Sequence, residues 1–309
     1  MSGNGAVDSV VARVAAVYRS WRRDTSVSQM RADWDRLFSA TGNASVEPIE
    51  CAGVSCQWVA APAARVDKAI VYLHGGGFQV GSLASHRELM AELSAAAGTR
   101  VLGVDYRLAP EHRFPAALDD TLAVWGCLRA QGFRPGDIAF AGDSAGAGLA
   151  LSALLALKER GQELPAAAFL MSAWTDLTAS GESYESRAAA DPIHQRPMIL
   201  AMARNYLGKG GDPNHPLASP LMASPAQLRG LPSMLFQVGD RETVLSDSEA
   251  FARKAREAGV NARCETWPGM IHVFQQFPVE LPEARQAIAS AGQFLAAHLG
   301  AASNRKTPS

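Results

Sequence analysis

Residues 142–146 of this 309-residue chain form the pattern Gly-x-Ser-x-Gly, with Ser144 at its centre. The apolar run 138–141 before it predicts a short buried strand, and the Ala- and Leu-rich run 149–157 after it predicts a helix that ends before Gly161. A serine at such a turn exposes its hydroxyl above the sheet edge, close to the amides of the helix N-terminus. The pattern also occurs in ordinary turns, but the strand and helix around it favour a nucleophile.

A serine hydroxyl becomes a good nucleophile only when a neighbouring base takes its proton, and a histidine is the expected base. His272 follows the predicted strand 261–267 in a loop that Pro268 and Gly269 turn sharply. In α/β proteins with this nucleophile turn, the chain order is serine, acid, histidine, which favours His272. Five other histidines are set aside because they lie in helices, in another loop or in an irregular insertion: His86, His112, His194, His215 and His298.

The acid that orients the imidazole is expected in the loop 239–243, which follows the predicted strand 234–238. Asp240 and Glu242 compete for this role, since either carboxylate can hold the imidazole tautomer and stabilise the imidazolium. The residues of this loop alone leave the choice open.

Three successive glycines at 75–77 follow the buried strand 69–73 and leave backbone amides accessible to a substrate. The N–H groups of Gly76, Gly77 and Ala145 form the expected oxyanion hole of an acyl-transfer site. The glycine loop lacks the GxGxxG and GxxxxGK spacings, so no nucleotide cofactor is predicted.

Composition excludes several other classes of function. The net charge is −1 and no basic run occurs, which argues against a nucleic-acid partner. No apolar stretch is long enough to cross a bilayer, and the first residues lack the features of a secretory signal, so a cytoplasmic location is expected. The seven histidines show no metal-ligand spacing, and neither a metal nor another cofactor is predicted.

The four cysteines have no CxxC spacing, which favours reduced thiols in the cytoplasm. Cys51 and Cys56 could face each other across a hairpin, but a disulfide has little support.

Strand and helix patterns alternate along most of the chain and predict a mostly parallel sheet with helices on both faces. In such sheets functional residues gather at the carboxyl ends of the strands. Predicted strands are a hairpin at 45–61, then 69–73, 100–106, 138–141, 166–172, 234–238 and 261–267. Predicted helices are 8–21, 28–38, 85–97, 116–130, 149–157, 247–258 and 283–299. The segment 174–232, rich in Pro, Gly, Ser and Asp, reads as an insertion over the sheet edge with one helix at 198–207.

Four motifs together resemble the hormone-sensitive-lipase-like (bacterial family IV) esterases. They are His-Gly-Gly-Gly-Phe at 74–78, Tyr-Arg-Leu-Ala-Pro-Glu at 106–111, Gly-Asp-Ser-Ala-Gly at 142–146 and Pro-Gly-Met-Ile-His-Val-Phe at 268–274. The resemblance implies an α/β-hydrolase core of eight strands at 45–299 beneath a helical cap, and hydrolysis of carboxylic esters without a cofactor. The cap corresponds to the helices within 1–44 and to an insertion at about 175–230, and residues 300–309 are a frayed tail. Residues 172–178 and 238–242 look most like the monoterpene ε-lactone hydrolase branch.

Two positions depart from the family pattern. Ala147 stands where the family usually has a second glycine, a small change that we expect to be tolerated. Alignment of residues 246–250 with the acid loop of the family places Glu242 in the acid position, which favours Glu242 over Asp240.

The sequence therefore predicts a serine carboxylesterase that hydrolyses short-chain esters or lactones through an acyl-enzyme. A non-catalytic small-molecule receptor on the same fold and an amidase with the same triad are the alternatives. Asp143 could orient a water molecule or the glycine loop, or be purely structural. An acyl pocket could be lined by three aromatic residues, Phe78, Trp174 and Phe274, and by the Met- and Trp-bearing N-terminal helices, or all of these could belong to the core. A homodimer through the edge strand near Arg263 is plausible by the same resemblance.

Overall fold

The computed structural model describes residues 3–22, 24–38 and 44–300. Its single eight-stranded sheet has the order β1-β2-β4-β3-β5-β6-β7-β8. The strands are β1 (Ser45–Cys51), β2 (Val54–Ala60), β3 (Arg65–Leu73), β4 (Thr99–Val104), β5 (Ile138–Asp143), β6 (Ala167–Met171), β7 (Ser233–Gly239) and β8 (Ala262–Trp267). β2 is antiparallel to both of its neighbours, and β3 to β8 are parallel. The expected mostly parallel sheet is confirmed.

Ten α-helices lie in the described part of the chain: α1 (Gly3–Ser20), α2 (Val27–Leu37), α3 (Arg87–Ala97), α4 (Ala116–Ala130), α5 (Ala145–Glu159), α6 (Ser183–Ser186), α7 (Arg196–Leu207), α8 (Pro225–Leu228), α9 (Leu245–Glu257) and α10 (Pro282–Gly300). Short 3₁₀ turns occur at Pro135–Asp137, Pro220–Met222 and Phe274–Gln276. The sequence did not predict α6 and α8, because four residues are too few to show helical periodicity. Of the expected frayed tail at 300–309, residue 300 ends α10 and residues 301–309 lie outside the described residues.

Successive apolar side chains of the central strands point alternately to the two faces of the sheet. Val71 and Leu73 of β3 point into a core shared with α4, α5 and α9, whereas Ile70 and Tyr72 point into a core shared with α3 and α10. Strands covered on both faces read as continuous apolar runs, which is why β5 and β6 are buried at every residue.

The hairpin of β1 and β2 corrects one expectation. The register pairs Cys51 with Val54 and Cys56 with Ile49, so the two cysteines are not cross-strand partners. Both thiols are free and buried.

Helix α1 packs on the segment that follows β8. Val7, Val10 and Val14 recur at helical spacing and contact residues of 270–277, including Ile271 and Phe274. This apolar seam places α1 beside the His272 loop.

Helix α2 is held by polar contacts. Arg31 donates from Nε to the carbonyl of Gln79 at 2.8 Å and from Nη2 to Glu111 at 2.8 Å, and Ser82 donates to Asp35 at 2.6 Å. These contacts place α2 over the loops that follow β3 and β4.

The carboxyl ends of the parallel strands meet at one edge of the sheet, here called the carboxyl edge. The loops after β3, β5, β6, β7 and β8 carry Gly76, Ser144, Ser172, Glu242 and His272, respectively. The fold thus brings together residues that are up to 196 positions apart in the chain (272 − 76).

Candidate active site

Ser144 lies at the turn from β5 to α5 in a strained backbone conformation, with φ 50° and ψ −119°. A side chain at Gly146 would place its Cβ 2.0 Å from the carbonyl oxygen of Leu73, so only glycine fits where α5 crosses β3. The amide of Ser144 donates to the carbonyl of Met171 at 2.8 Å. The turn is therefore fixed from both neighbouring strands.

His272 lies beside this serine. Its Nε2 is 2.9 Å from Oγ of Ser144, within hydrogen-bonding distance for proton transfer. The ring is only 9% exposed, and the next residue, Val273, has a left-handed backbone with φ 49°. The tight turn after β8 brings the imidazole back over the carboxyl edge.

Glu242 contacts the other side of the imidazole. Its Oε2 is 2.8 Å from Nδ1 of His272, and the side chain is fully buried. Its Oε1 accepts hydrogen bonds from Ser172 Oγ at 2.8 Å and from the Gly239 amide at 2.5 Å. Ser172 also accepts from the amide of Val273 at 2.9 Å, so it joins the acid loop to the histidine loop.

Asp240, the second candidate for the acid, lies elsewhere. Its Oδ1 accepts from the amide of Gly269 at 2.8 Å on the partly exposed side of the loop. The structure therefore brings Glu242, and not Asp240, to the imidazole of His272.

The surroundings of His272 favour its protonated form. Burial alone lowers the pKa of His272, but the charge and hydrogen bond of Glu242, with smaller contributions from Asp191 and Asp143, raise the pKa above its ordinary value. A histidine in this setting can hold the proton that it takes from a serine.

The glycine loop lies opposite the imidazole. Gly76 and Gly77 line the same cavity as Ser144, and no atom in the described part of the chain accepts from their amides or from that of Ala145. Gly76 has φ 114°, and a Cβ there would lie 2.2 Å from the carbonyl oxygen of Val80. The loop conformation thus requires glycine and leaves three amides available to an oxyanion.

Asp143 braces the glycine loop from beneath. Its Oδ1 accepts from the Gly75 amide at 2.9 Å and from the Tyr72 hydroxyl at 2.7 Å, and Nε2 of His86 lies 3.4 Å away. Burial alone raises the pKa of Asp143, but His86 and Tyr72 outweigh burial and lower it. The Asp143 carboxylate therefore holds the glycine loop through the amide of Gly75.

A partly open cavity lies above Ser144 and His272. Its walls come from α1, α2, the segment 193–202 and the loops of the carboxyl edge. Of the three aromatic residues suggested for an acyl pocket, only Trp174 is among its described lining residues. Phe78 instead stacks on Tyr206 at 3.6 Å, and Phe274 is fully buried in the core beneath α1.

Sequence analysis missed several residues of this site. His194 was set aside, yet its ring packs edge-on against His272 with 4.3 Å between ring centroids. Asp191 accepts from the amides of His194 and Thr243, both at 2.8 Å, and so ties the insertion to the acid loop. The Asp-Pro turn at 191–192 was the available signal, because an aspartate there caps the amides that follow. Ser172 stands at a strand's carboxyl end, the position where functional residues gather.

The residues that the structure describes contain no group of three or more His, Cys, Asp or Glu side chains able to hold a metal ion. In the same residues no helix is both long enough and apolar enough to span a membrane.

The fold and this site define an α/β hydrolase, and comparisons with known proteins agree. A family model described as an alpha/beta hydrolase fold matches residues 70–276. The acetyl-hydrolase of Streptomyces hygroscopicus is 43% identical over 276 residues, 88% of this chain and 91% of that relative. The crystal structure of an esterase from the bacterial hormone-sensitive lipase family is 41% identical, has a TM-score of 0.91 and covers 97% of this chain and 100% of that one.

An esterase of Acinetobacter venetianus is 39% identical over 259 residues, 84% of both proteins. The chain therefore belongs to the hormone-sensitive-lipase-like (bacterial family IV) esterases and is a carboxylic ester hydrolase.

Proposed function

We propose that this carboxylesterase acts through an acyl-enzyme formed on Ser144, with His272 as general base and Glu242 as the acid that orients it. The observation that carries the proposal is one continuous line of contacts, 2.9 Å from Ser144 Oγ to His272 Nε2 and 2.8 Å from His272 Nδ1 to Glu242 Oε2. Asp240 has no part in this line.

The reaction begins when Ser144 Oγ attacks the ester carbonyl and its proton passes to His272 Nε2. The amides of Gly76, Gly77 and Ala145 stabilise the negative oxygen of the tetrahedral intermediate. The C–O bond to the alcohol breaks, and His272 gives its proton to the departing oxygen. A water molecule, deprotonated by His272, then attacks the acyl-enzyme; the C–O bond to Ser144 breaks, His272 returns the proton to Ser144 Oγ, and the carboxylic acid leaves.

The cavity and the relatives guide the choice of substrate. The lining of the cavity is largely apolar. The name of the Streptomyces relative, acetyl-hydrolase, supports substrates with small acyl groups. A lactone presents the same carbonyl, with the leaving alcohol still attached to the acyl chain, and it remains the alternative substrate class. Membership in an esterase family disfavours the receptor alternative.

The proposal includes a division of the chain. Residues 45–299 form the hydrolase core. The insertion within it at about 175–230 acts with residues 1–44 as a cap. The possible homodimer stays a prediction, which the position of β8 at the edge of the sheet permits. A cytoplasmic location likewise stays a prediction.

The test uses p-nitrophenyl acetate, longer p-nitrophenyl esters, a lactone series and matched anilides. We expect rapid hydrolysis of short esters by the wild type, slow hydrolysis of anilides, and loss of all activity in Ser144→Ala. The matched control is Ser290→Ala, since Ser290 of α10 bonds Glu265 of β8, does not line the cavity and should leave activity unchanged. Equal activity on esters and anilides would favour the amidase, and a fully active Ser144→Ala would overturn the mechanism.

A further inference from the structure

One wall of the cavity combines three aromatic rings that carry polar atoms. Tyr18 of α1, Trp34 of α2 and His194 of the insertion form this wall, here called the aromatic wall. The rings of Tyr18 and Trp34 meet edge-on at 5.7 Å, and those of Tyr18 and His194 at 5.9 Å. Three separate segments of the chain thus contribute to one surface.

Two polar atoms of the aromatic wall have no partner. Trp34 is 8% exposed and His194 is 7% exposed, and neither Trp34 Nε1 nor His194 Nδ1 makes a hydrogen bond within the described structure. By contrast, the nearby Trp21 Nε1 donates to Asp33 at 3.2 Å. Buried polar groups without a partner are uncommon in native proteins, since they lose hydration without compensation.

The chemistry of these atoms restricts what can satisfy them. An indole N–H only donates, so its partner must be an acceptor such as a hydroxyl, ether or carbonyl oxygen. Burial and the neighbouring His272 lower the pKa of His194 to about 3, so the ring is neutral and offers one donor and one acceptor nitrogen. A purely alkyl substituent in this place would leave both groups unsatisfied.

The position of the aromatic wall indicates which half of the ester it meets. The departing alcohol oxygen must come within reach of His272 Nε2 to receive its proton. The His194 ring packs directly on the His272 ring, with 4.3 Å between centroids. Groups attached to the alcohol oxygen therefore extend along the His272 side of the cavity, toward the aromatic wall.

We infer that the aromatic wall is a subsite for an oxygen atom in the alcohol half of the substrate, so that preferred substrates are esters of hydroxylated or alkoxylated alcohols. This inference rests on the proposed function, because it assigns the alcohol half from the proton-transfer role of His272. Trp34 donates to that oxygen, and neutral His194 supplies the second contact.

The test compares two acetate esters of the same size, n-butyl acetate and 2-methoxyethyl acetate, in which an ether oxygen replaces one methylene. Acetate release by wild type, Trp34→Phe and His194→Phe gives kcat and KM for each ester. For each enzyme, kcat/KM for one ester is divided by kcat/KM for the other. Comparing this ratio between wild type and variant removes the difference in intrinsic reactivity of the two esters. Each variant should lower kcat/KM for the methoxyethyl ester about 3- to 10-fold more than for the butyl ester, mainly through KM.

Phe38→Leu is the control for the same cavity, since Phe38 is an apolar lining residue and should affect both esters equally. A second pair, ethyl butyrate and ethyl methoxyacetate, places the ether oxygen in the acyl half. Unchanged discrimination in both variants, or a loss confined to the acyl pair, would overturn the inference. Activity of Ser144→Ala is measured alongside, so failure of the serine mechanism is seen separately. If one variant does not fold, as judged by its melting curve, the other decides the outcome.

Discussion

The two sides of the cavity are built in opposite ways. On the carboxyl edge, both oxygens of Glu242 are hydrogen-bonded and Ser172 joins the loops on either side. On the aromatic wall, Trp34 Nε1 and His194 Nδ1 have no partner in the described structure. Around Glu242 and His272 the hydrogen bonds are made within the protein, whereas the aromatic wall leaves two ring nitrogens for a substrate to bond.

The two sides also differ in how they are held. The carboxyl edge is continuous with parallel strands that are buried on both faces. The other side, which belongs to the proposed cap, is held by the apolar seam of α1 and by the hydrogen bonds of Arg31 to Gln79, Ala109 and Glu111. Substitutions on the first side should therefore change turnover, and those on the second side should change substrate binding.

The largest effect is expected on the carboxyl edge itself. His272→Ala removes the proposed base, whose Nε2 is 2.9 Å from Ser144 Oγ, and kcat/KM for p-nitrophenyl acetate should fall by at least about 10⁴-fold. An unchanged melting temperature would show that the loss is chemical. Retention of more than a tenth of wild-type activity would show that another group takes the proton.

Next in size is the comparison of the two candidate acids. Glu242→Ala leaves the imidazole without its partner at 2.8 Å, so turnover should fall about 10³- to 10⁴-fold, whereas Asp240→Ala should cost less than about 3-fold. Steady-state kinetics of both variants decide between them. Our assignment is wrong if only the Asp240 change is crippling.

Substitutions of the two candidate acids should also differ in their effect on the pH dependence of activity. Protonated His272 cannot accept a proton from Ser144, so kcat/KM of the wild type should fall as pH drops through a His272 pKa that lies above its ordinary value. Glu242→Gln removes the negative charge that raises this pKa, so the residual activity should persist to lower pH. Asp240→Asn is the matched control and should keep the wild-type profile. If kcat/KM of Glu242→Gln fell at the same acidic pH as that of the wild type, the assignment would be contradicted.

A smaller effect is expected beneath the glycine loop. Asp143→Asn keeps an acceptor for Gly75 and Tyr72 but loses the charge beside His86, so the loop amides should be held less firmly. Turnover should fall about 10- to 100-fold with little change in KM, less than the loss of a whole oxyanion donor. A change in KM alone would place the role of Asp143 in substrate binding.

The smallest effect is expected on the cap side. Arg31→Ala removes the hydrogen bonds from α2 to Gln79, Ala109 and Glu111, while the apolar seam of α1 remains. Partly exposed ion pairs contribute little, so KM should rise a few-fold with kcat nearly unchanged. The matched control is Arg65→Ala, because the Arg65–Asp67 pair lies on exposed β3 residues away from the cavity. A large loss of kcat in Arg31→Ala would mean that the cap also shapes the carboxyl edge.

The contrast between the two sides also explains what the sequence could predict. Ser144, His272 and the glycine loop follow apolar strands whose pattern is unambiguous, so their placement at one sheet edge follows from the fold. Glu242 required a family alignment, because Asp240 and Glu242 occupy the same loop. The aromatic wall was not predictable, since Tyr18, Trp34 and His194 converge only through tertiary packing of segments far apart in sequence. The periodicity of α1 and α2 predicted two helices that either pack on the core or cover the mouth of an active site, and it could not decide between these two roles.

The most direct measurement is active-site labelling with a p-nitrophenyl alkylphosphonate, followed by mass spectrometry of the digested protein. Attack by Ser144 releases p-nitrophenolate and leaves one phosphonyl group on the peptide that contains Ser144. We expect a single adduct at Ser144 in the wild type, and labelling at least about 10³-fold slower in His272→Ala. An adduct at another residue, or equally rapid labelling of Ser144 without His272, would contradict the central claim that this imidazole activates this hydroxyl.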